Sequence, residues 1–515
     1  MVAESIHRLR QQANMVWSRY RTTLIGLSVT LLGAGLRLYN IGANSFNLDE
    51  AWALWLAQHD ASFIFQLTTL GGEDVSSPPL FYMLLRGFTL IGEQPLVVRM
   101  PSVLAGTLMV WLTFRLAVHL FDLRVAALGA LLIAVAPTHI VYSRVARAYM
   151  LGALLAFLSL YLFARLLYQK AGRWSLLGLV AATAAATWTH YLTFLVVLFE
   201  YATVTFLWVR RRLARPMLTR WLVSQVVLGF TVLPVLLAAL SEAPAAKRHS
   251  YMTRPGLQSL VKSAILFSTG DPSYGPTDIT AARAVSLVAI VSLCILGLWV
   301  FVRRGYHRRL DDEGRRLLFL VGAIITPWLT AFVVSQVRPL YGERYLLYIM
   351  PPLFILFAWV FVRARNGVIA SFILLSLIGL TVLALRVYYT EPWGEEWREA
   401  VASMRPEYQA QDLVVVAPGW YARPFAYYFY GTFPKNAATL EHAPAIFVEN
   451  GEFRVFTLLE QTEGIRASDP ALAEAQRVWF LSGYSPVDPA VLKWIEQDFE
   501  PLDIREFVGA RVYLL

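Results

Sequence analysis

The sequence predicts an α-helical polytopic membrane protein that ends in a small soluble α/β domain. Hydrophobic residues make up 57% of the 515 residues and charged residues only 16%, and the mean hydropathy is +0.52. A soluble protein of this size carries more charge, because its surface must be wetted. Apolar runs of about 20 residues, enough to cross a hydrocarbon core of about 30 Å, recur from Thr22 to about Leu385.

These runs predict about eleven spans, of which the first, Thr22–Asn40, is interpreted as a retained span rather than a cleaved signal. The run Pro79–Ile91 is short and contains Arg86. We expect it to lie in the interface or to re-enter, because a crossing here would place the later basic loops outside. The other expected spans cover residues 98–118, 125–142, 148–168, 174–189, 191–209, 220–240, 284–302, 317–336, 344–362 and 367–385.

The arginines predict the orientation of these spans. Four arginines precede the first span, so residues 1–21 are expected to form a cytoplasmic N-terminus. The outer loop 41–97 has no Lys or Arg up to Pro78 but several acidic residues, which places it outside. An odd number of spans within the transmembrane region 22–385 then places residues 386–515 outside as well. The chain is thus expected to be a multi-pass protein of the plasma or inner membrane.

The residues after Leu385 have ordinary polarity. Short strand-like runs alternate there with helical stretches such as Glu395–Met404 and Pro489–Gln497. This pattern predicts a small extracytoplasmic α/β or α+β domain. The expected strands are Asp412–Ala417, Ala445–Val448, Phe453–Leu459, Arg477–Leu481 and Ala510–Leu514.

Charge and cysteine content exclude several classes of function. The net charge of +10 comes from arginines in short loops between apolar segments, a pattern of membrane topology, so no nucleic-acid partner is expected. Cys294 is the only cysteine, which rules out an intrachain disulfide. Zinc-binding, phosphate-loop and nucleophile-elbow motifs are absent from the sequence, so ATP is not the expected energy source.

Two acidic pairs occur in the first outer loop. Asp49 and Glu50 follow the first span closely, and they read either as part of a solvated loop or as a general base or metal ligand near the bilayer. Glu73 and Asp74 form the second pair, for which loop solvation competes with a role in acceptor or metal binding. The sequence leaves both alternatives open.

Arginines also occur at the outer ends of later spans. Arg144 and Arg147 break the positive-inside trend. These two arginines either pair with lipid headgroups or bind a phosphate group. A planar guanidinium is well suited to binding phosphate. Arg344 is a further arginine in a later loop that is expected to lie outside. His190 also lies near the outer end of a span and is either hydrogen-bonded or a metal ligand. No cofactor is certain, and a divalent cation is left open.

Five short stretches together resemble a known family. Residues 38–51 resemble the first-span and first-loop signature of the polytopic GT-C glycosyltransferases, and the best match is the bacterial branch related to dolichyl-phosphate-mannose protein mannosyltransferases, glycosyltransferase family 39. The resemblance covers roughly residues 30–365 and implies a GT-C-like fold. The further stretches, in the expected order, are Ser77–Tyr82, Arg99–Ser102, Tyr142–Tyr149 and Arg344–Leu347.

The resemblance also implies an activity. It implies a polyprenyl-phosphate-sugar donor and inverting transfer to a glycan, lipid or protein acceptor on the outer side of the membrane. Asp49 matches the family's base, with Glu50 beside it. Arg147 and Arg344 match the arginines that stabilise the departing lipid phosphate, and Arg144 and Tyr345 belong to the same motifs.

The sequence departs from the family pattern at two positions. Val145 stands where the family commonly has a glutamate, so any role of that glutamate in acceptor or metal binding is missing or taken over by Glu73 or Asp74. Ser77 stands in place of a frequent histidine, which removes a candidate ligand. Both changes concern the metal and the acceptor more than the reaction class.

Two other classes of function compete with the enzyme. A transporter or flippase for a polyprenyl-linked or other anionic lipid would also use outer arginines and many spans, but it favours repeated halves and ionisable residues at mid-membrane. A membrane scaffold that recruits a partner through its outer domain would not need the acidic loop.

Overall fold

The chain folds into two compact units, which are described separately. The first comprises Met1–Tyr39, Asp60–Phe88 and Arg99–Tyr388, and the second comprises Asn40–His59, Thr89–Val98 and Tyr389–Leu515. The second unit thus joins the C-terminal domain to two pieces of the first outer loop. The computed structural model describes residues 2–69, 77–169, 172–241, 253–270, 279–306, 311–364, 367–391, 394–409, 411–431, 433, 446–449, 452–455, 458–461, 464–467 and 477–515.

Helices dominate the described part of the chain, and short 3₁₀ turns at Tyr191–Phe194, Glu343–Tyr345, Leu347–Ile349 and Gly419–Tyr421 connect some of them. The helices are α1 (Val2–Leu38), α2 (Leu48–Ala57), α3 (Ala61–Thr69), α4 (Leu80–Thr89), α5 (Pro95–Leu120), α6 (Leu123–Val135), α7 (Pro137–Ser143), α8 (Ala148–Tyr168), α9 (Arg173–Thr187), α10 (Leu195–Val209), α11 (Arg215–Ser241), α12 (Leu257–Thr269), α13 (Ile279–Arg303), α14 (Asp312–Val334), α15 (Met350–Arg363), α16 (Gly367–Thr390), α17 (Trp397–Met404), α18 (Ala422–Tyr430) and α19 (Pro489–Asp498).

The expected membrane class is confirmed, although the number of spans is not. Among the described residues, seven helices are long and apolar enough to cross a membrane, or eight if the bent pair α6 and α7 counts as one span. Each of the predicted runs lies on a helix. However, α9 has only 15 residues, and Leu347–Arg363 is also shorter than a typical span. The prediction of about eleven spans was based on apolar runs. Some of these runs form helices that are shorter than a typical membrane span.

The segment predicted not to cross the membrane forms the short helix α4. It has 10 residues, which gives a length of about 15 Å, half the thickness of a hydrocarbon core. Arg86 lies in its last turn. The length of α4 thus agrees with a helix that lies in the interface or re-enters.

A buried arginine joins three helices of the first unit. Arg37 of α1 is fully buried, and its Nη1 donates to the carbonyls of Gly33 at 2.7 Å and Ala134 at 3.1 Å. Its Nη2 lies 2.6 Å from Nδ1 of His139 on α7. Intramembrane charges persist where carbonyls and polar side chains solvate them, so this contact holds α1 against the bend of 59° between α6 and α7.

The second unit contains a mixed six-stranded sheet in the order β3-β2-β1-β6-β8-β7, in which β1 and β6 are parallel and the other pairs antiparallel. A separate ladder joins β4 to β5. The α/β class predicted for the C-terminal region is therefore confirmed. The strands are β1 (Leu413–Ala417), β2 (Ile446–Glu449), β3 (Glu452–Val455), β4 (Leu458–Gln461), β5 (Gly464–Ala467), β6 (Val478–Gly483), β7 (Asp503–Phe507) and β8 (Ala510–Leu514).

Apolar side chains cover both faces of this sheet. On one face, Val414 and Trp479 pack in one cluster with Trp397 of α17 and with α18. On the other face, alternate residues such as Val415 pack against Trp494 of α19. The sheet is thus a middle layer between helices, and its central strands are buried throughout, which explains their continuous apolar sequences.

An ion-pair network joins the ends of three helices in the first unit. Nη1 of Arg363 at the end of α15 lies 2.8 Å from the Asp122 carboxylate, which caps α6, and its Nε lies 3.0 Å from Oε1 of Glu313. Trp359 Nε1 donates to the same Glu313 oxygen at 2.8 Å. Arg363 therefore neutralises two carboxylates at once.

We expect the substitution Arg363→Met to lower the stability of the purified protein by about 1–2 kcal/mol, because two partly buried carboxylates lose their cation. The midpoint of thermal unfolding in detergent, followed by tryptophan fluorescence, measures the change. Arg315→Met is the matched control, since it breaks an exposed pair with Asp312 within one helix and is expected to cost at most about 0.5 kcal/mol. Equal midpoints for the two variants would contradict the role of Arg363.

Candidate functional site

Two arginines of the first unit approach the same tyrosine ring. The guanidinium carbon of Arg147 lies 5.8 Å from the ring centroid of Tyr149, and that of Arg344 lies 5.3 Å from it. Arg147 and Tyr149 are both buried. The negative face of an aromatic ring attracts cations, so the ring holds together two charges that are separated by almost 200 residues of sequence.

Local structure fixes the direction of Arg147. It is the N-cap residue of α8 with extended backbone, and the hydroxyl of Ser102 donates to its carbonyl at 3.4 Å. Its Nη1 donates to the Tyr82 hydroxyl at 3.3 Å. The side chain thus leaves the start of α8 and is supported by residues from two earlier motifs.

Arg344 lies in a 3₁₀ turn beside Tyr345. Its Nη2 donates to the Tyr345 hydroxyl at 3.1 Å, and the guanidinium carbon lies 5.1 Å from the Tyr345 ring centroid. The imidazole of His190 stacks on that same ring at 4.5 Å. The structure therefore brings four sequence-predicted residues together in one group, here called the Tyr149 cluster. It consists of Arg147, Tyr149, His190, Arg344 and Tyr345.

Arg144 has a different neighbour. It is buried like Arg147, but its guanidinium lies 5.2 Å from the ring centroid of Tyr388 at the end of α16. The structure thus gives the two arginines of this loop different aromatic partners.

The Tyr149 cluster concentrates positive charge in a partly buried environment. Two guanidinium groups repel each other, and the repulsion grows as the local dielectric constant falls. An anion bound beside both arginines relieves this repulsion and accepts charge-assisted hydrogen bonds. The arrangement is chemically suited to a phosphate group.

The acidic pair Asp49 and Glu50 belongs to the second unit, in the first turn of α2. Glu50 is buried and forms a capping box with Asn47: its backbone N–H donates to Asn47 Oδ1 at 2.8 Å, and its Oε2 accepts from the Asn47 N–H at 3.4 Å. Asp49 is only partly buried. The two carboxylates therefore differ, since Glu50 is engaged in holding the start of the helix.

Glu395 is a third carboxylate close to this pair, and the sequence did not single it out. Its Oε2 accepts from the backbone N–H of Leu48 at 2.9 Å and from Trp397 Nε1 at 2.8 Å. Burial is the main cause that raises the pKa of Glu395 to about 7, with a smaller contribution from the negative charges of Asp49 and Glu50. The two hydrogen bonds oppose this shift.

The described residues offer no metal site, since they contain no group of three or more His, Cys, Asp or Glu side chains that could hold an ion. His190 uses Nδ1 to accept from the Leu192 N–H at 3.3 Å, as a cap of a 3₁₀ turn. Glu73 and Asp74 lie outside the described residues. A role of Glu73 or Asp74 in metal binding therefore stays a prediction.

Tyr149 of the arginine cluster and Glu395 near Asp49 were not predicted from the sequence, for different reasons. Tyr149 ends the motif Tyr142–Tyr149, but a tyrosine next to arginines is not distinctive in sequence. Glu395 follows the last apolar run in the stretch Gly394-Glu395-Glu396, a signal that could have marked it as a loop acid. Its contact with Leu48 spans 347 residues, which no local pattern predicts.

Because burial favours the protonated Glu395, we expect it to make stability depend on pH. Its pKa is about 7 in the folded protein against an ordinary 4.5, so its stabilising contribution is complete below about pH 4.5 and is lost as the pH rises through 7. Glu395→Gln is neutral at every pH and keeps an acceptor oxygen. The difference in the free energy of unfolding, variant minus wild type, is expected to be near zero at pH 5 and to reach about 1–3 kcal/mol in favour of the variant at pH 8, as measured by thermal unfolding. A difference that does not change with pH would contradict the raised pKa.

Comparison with known proteins agrees with this architecture. Residues 76–237 match the sequence model of the family described as dolichyl-phosphate-mannose-protein mannosyltransferase. This segment contains Arg144, Arg147, Tyr149 and His190. No curated protein sequence matches the chain.

Several solved structures are similar in fold. ArnT from Cupriavidus metallidurans in the apo state matches with a TM-score of 0.57 at 12% identity, over 98% of this chain and 98% of ArnT. The same protein bound to undecaprenyl phosphate gives a TM-score of 0.56 at 12% identity, over 96% and 97% of the two chains. The oligosaccharyltransferase AglB from Archaeoglobus fulgidus, in complex with an inhibitory peptide and a dolichol-phosphate, gives 0.51 at 12% identity, over 91% of this chain and 70% of AglB. The chain is thus a multi-pass membrane protein with a fold like that of ArnT and AglB, and this fold and the family model agree with the resemblance predicted from its motifs.

Proposed function

We propose that this protein transfers a sugar from a polyprenyl-phosphate donor to an acceptor hydroxyl on the outer side of the membrane, with inversion at the sugar carbon. The observation that carries the proposal is the convergence of Arg147 and Arg344 on Tyr149. A lipid phosphate is the leaving group of such a reaction, and paired guanidinium groups are suited to it.

The comparisons support the choice of donor. The similar ArnT structure contains undecaprenyl phosphate, and the similar AglB structure contains a dolichol-phosphate. The family model that covers Arg147 is named for a dolichyl-phosphate sugar donor. Both lipids carry a phosphate on a polyprenyl chain, which is the chemical class that the Tyr149 cluster fits.

Asp49 is the proposed general base. It lies in the first turn of α2 and is partly buried, whereas Glu50 is buried in the capping box. A base must reach the acceptor hydroxyl, so the more accessible carboxylate is the better candidate. The structure thus favours a structural task for Glu50, which the sequence grouped with Asp49.

The proposed reaction is a single displacement. Asp49 takes the proton of the acceptor hydroxyl while its oxygen bonds to the anomeric carbon from the face opposite the phosphate. The bond between that carbon and the phosphate oxygen breaks, and the electron pair leaves with the polyprenyl phosphate. Arg147 and Arg344 stabilise the negative charge that develops on this phosphate. Residues 41–78 of the first loop are acidic and contain no Lys or Arg, which supports the outer side as the location of this step.

We expect Asp49→Asn to lower sugar transfer by at least about 100-fold, because a positioned general base contributes about 10²–10⁴-fold. Glu50→Gln is the matched control. Glutamine at this helix position also forms a capping box, so we expect at least about one third of wild-type activity to remain. The measurement is transfer of labelled sugar from a panel of polyprenyl-phosphate sugars in proteoliposomes.

The same experiment discriminates against a transporter. If no donor is consumed, while labelled carrier lipid crosses the bilayer equally well with wild type and Asp49→Asn, the enzyme proposal is wrong and the transporter takes its place. Transfer that survives Asp49→Asn undiminished would instead exclude Asp49 as the base.

We expect Arg147→Ala and Arg344→Ala each to weaken binding of polyprenyl phosphate by about 10-fold, since each removes a charge-assisted contact of about 1.5 kcal/mol. Arg147→Lys should restore binding only in part, because an ammonium lacks the planar fork. Native mass spectrometry or quenching of tryptophan fluorescence measures the affinity. Arg338→Ala is the control from the same loop as Arg344 and should change affinity by less than about 2-fold. Unchanged affinity in both cluster variants would show that the lipid phosphate binds elsewhere.

A further inference from the structure

Every residue from Ser45 to Leu48, directly before Asp49, is held by a hydrogen bond. The hydroxyl of Ser45 donates to Oε2 of Glu399 at 2.7 Å and accepts from the Arg398 N–H at 3.1 Å. The N–H of Phe46 donates to the Tyr428 hydroxyl at 2.6 Å. The N–H of Asn47 is bound by the Glu50 side chain, and that of Leu48 is bound by Glu395.

Four of these partners come from the C-terminal domain, although they lie about 350 residues away in the sequence. The same domain also contacts Ala43 and residues of α2. Arg398 Nη2 donates to the Ala43 carbonyl at 2.9 Å, and the Leu48 side chain packs on the apolar cluster of the sheet. The buried guanidinium of Arg423 lies 4.3 Å from the ring centroid of Trp52 and 4.8 Å from that of Trp55, both on α2.

Glu395 is itself rigidly supported. Its Oε2 also accepts from the indole of Trp397, whose ring is fully buried in the cluster formed with Val414 and Trp479. The next residue, Glu396, donates its backbone N–H to the Val508 carbonyl, and its side-chain Oε2 accepts from the Val508 N–H, each at 2.8 Å. A continuous path of contacts therefore runs from the core of the sheet through Trp397 and Glu395 to the first residue of α2.

The bond to Leu48 has a specific physical role. The first N–H groups of a helix have no partner within the helix, and a carboxylate is favoured there by the helix dipole. The capping box satisfies the N–H of Glu50, and Glu395 satisfies that of Leu48. Asp49 is the residue between them, so both neighbours in the chain are fixed.

We infer that the C-terminal domain is a positioning device for the proposed base: Glu395, bound to the Leu48 N–H and to Trp397, holds the first turn of α2 in the orientation from which Asp49 reaches the acceptor. This inference rests on the proposed function, since it assumes that Asp49 acts as the base. Glu395 is a positioning residue, and the Ser45–Glu399 bond supports the same turn independently. Small displacements of a catalytic group lower rates strongly, so loss of either bond should reduce turnover.

The test compares Glu395→Ala with Glu395→Gln in the full-length protein in proteoliposomes. We expect Glu395→Ala to lower kcat by about 10–100-fold with the donor KM within about 2-fold of wild type, because the base moves while the donor site is untouched. Glu395→Gln keeps an acceptor oxygen and should restore kcat to within about 3-fold. A merely structural role would reduce the amount of folded protein, which size-exclusion chromatography measures, and would not give this split between kcat and KM.

Glu407→Ala is the matched control within the same domain. Glu407 pairs with Arg505, and its carboxylate forms no hydrogen bond or ion pair with residues 42–57, all of which the structure describes, so its loss should leave kcat unchanged. If Glu395→Ala does not fold, Ser45→Ala removes a single hydroxyl and is expected to lower kcat by about 3–10-fold. Wild-type kcat in Glu395→Ala, or in Ser45→Ala where the former does not fold, overturns the inference.

The outcome is distinguishable from failure of the proposed function. If Asp49→Asn is inactive but Glu395→Ala retains full kcat, the enzyme proposal stands and only the positioning role is wrong. If Asp49→Asn is fully active, the proposed base itself is wrong, whatever Glu395→Ala does.

Discussion

A hydrocarbon environment supplies no hydrogen bonds, so every polar group of the membrane unit must be satisfied within the protein. This constraint explains why the apolar runs are helical. It also explains why Arg37, fully buried on α1, is surrounded by the carbonyls of Gly33 and Ala134 and by His139. Because Pro137 begins α7 after a bend of 59°, the chain exposes carbonyls at this break that the guanidinium can bind.

The same constraint makes the Tyr149 cluster notable. Arg147 is buried at the start of a long apolar helix, and Arg344 enters from a 3₁₀ turn far along the chain. The aromatic rings of Tyr149 and Tyr345 hold the guanidinium groups in place through their faces. Guanidinium groups in this arrangement are suited to charge-assisted hydrogen bonds with a phosphate.

The second unit also contains a group of like charges, in this case negative ones. Burial is the main cause that raises the pKa of Glu395 to about 7, and the negative charges of Asp49 and Glu50 add to this shift. Protonation of Glu395 relieves repulsion, while its oxygen continues to accept from Leu48 and Trp397. Residues 45–48 are thereby bound to the C-terminal domain within the second unit.

Sequence alone determined the class of the protein, since hydropathy and the lack of charge leave few alternatives to membrane helices. It also determined the α/β nature of the C-terminal region, because the central strands are rich in apolar residues: Leu413–Ala417 is apolar throughout, and Val478–Gly483 begins with four apolar residues. The edge strand β7, with the sequence Asp-Ile-Arg-Glu-Phe and only partial burial, was missed because its pattern is barely amphipathic. The predicted number of spans is not confirmed, since an apolar run does not reveal where its helix begins and ends.

For the candidate site, the sequence identified the residue types but not their neighbours. It named Arg147, Arg344 and Tyr345 from motifs and His190 from its place near the end of a span, yet their meeting at Tyr149 depends on helix packing. It named Asp49 as the base with Glu50 beside it, and the capping box formed by Glu50 is seen only in the structure. Glu395 became visible only in the folded chain, because its partner Leu48 lies 347 residues away. The sequence shows which residue types occur together in a short motif. Contacts between distant segments depend on packing and burial, which arise only once the chain is folded.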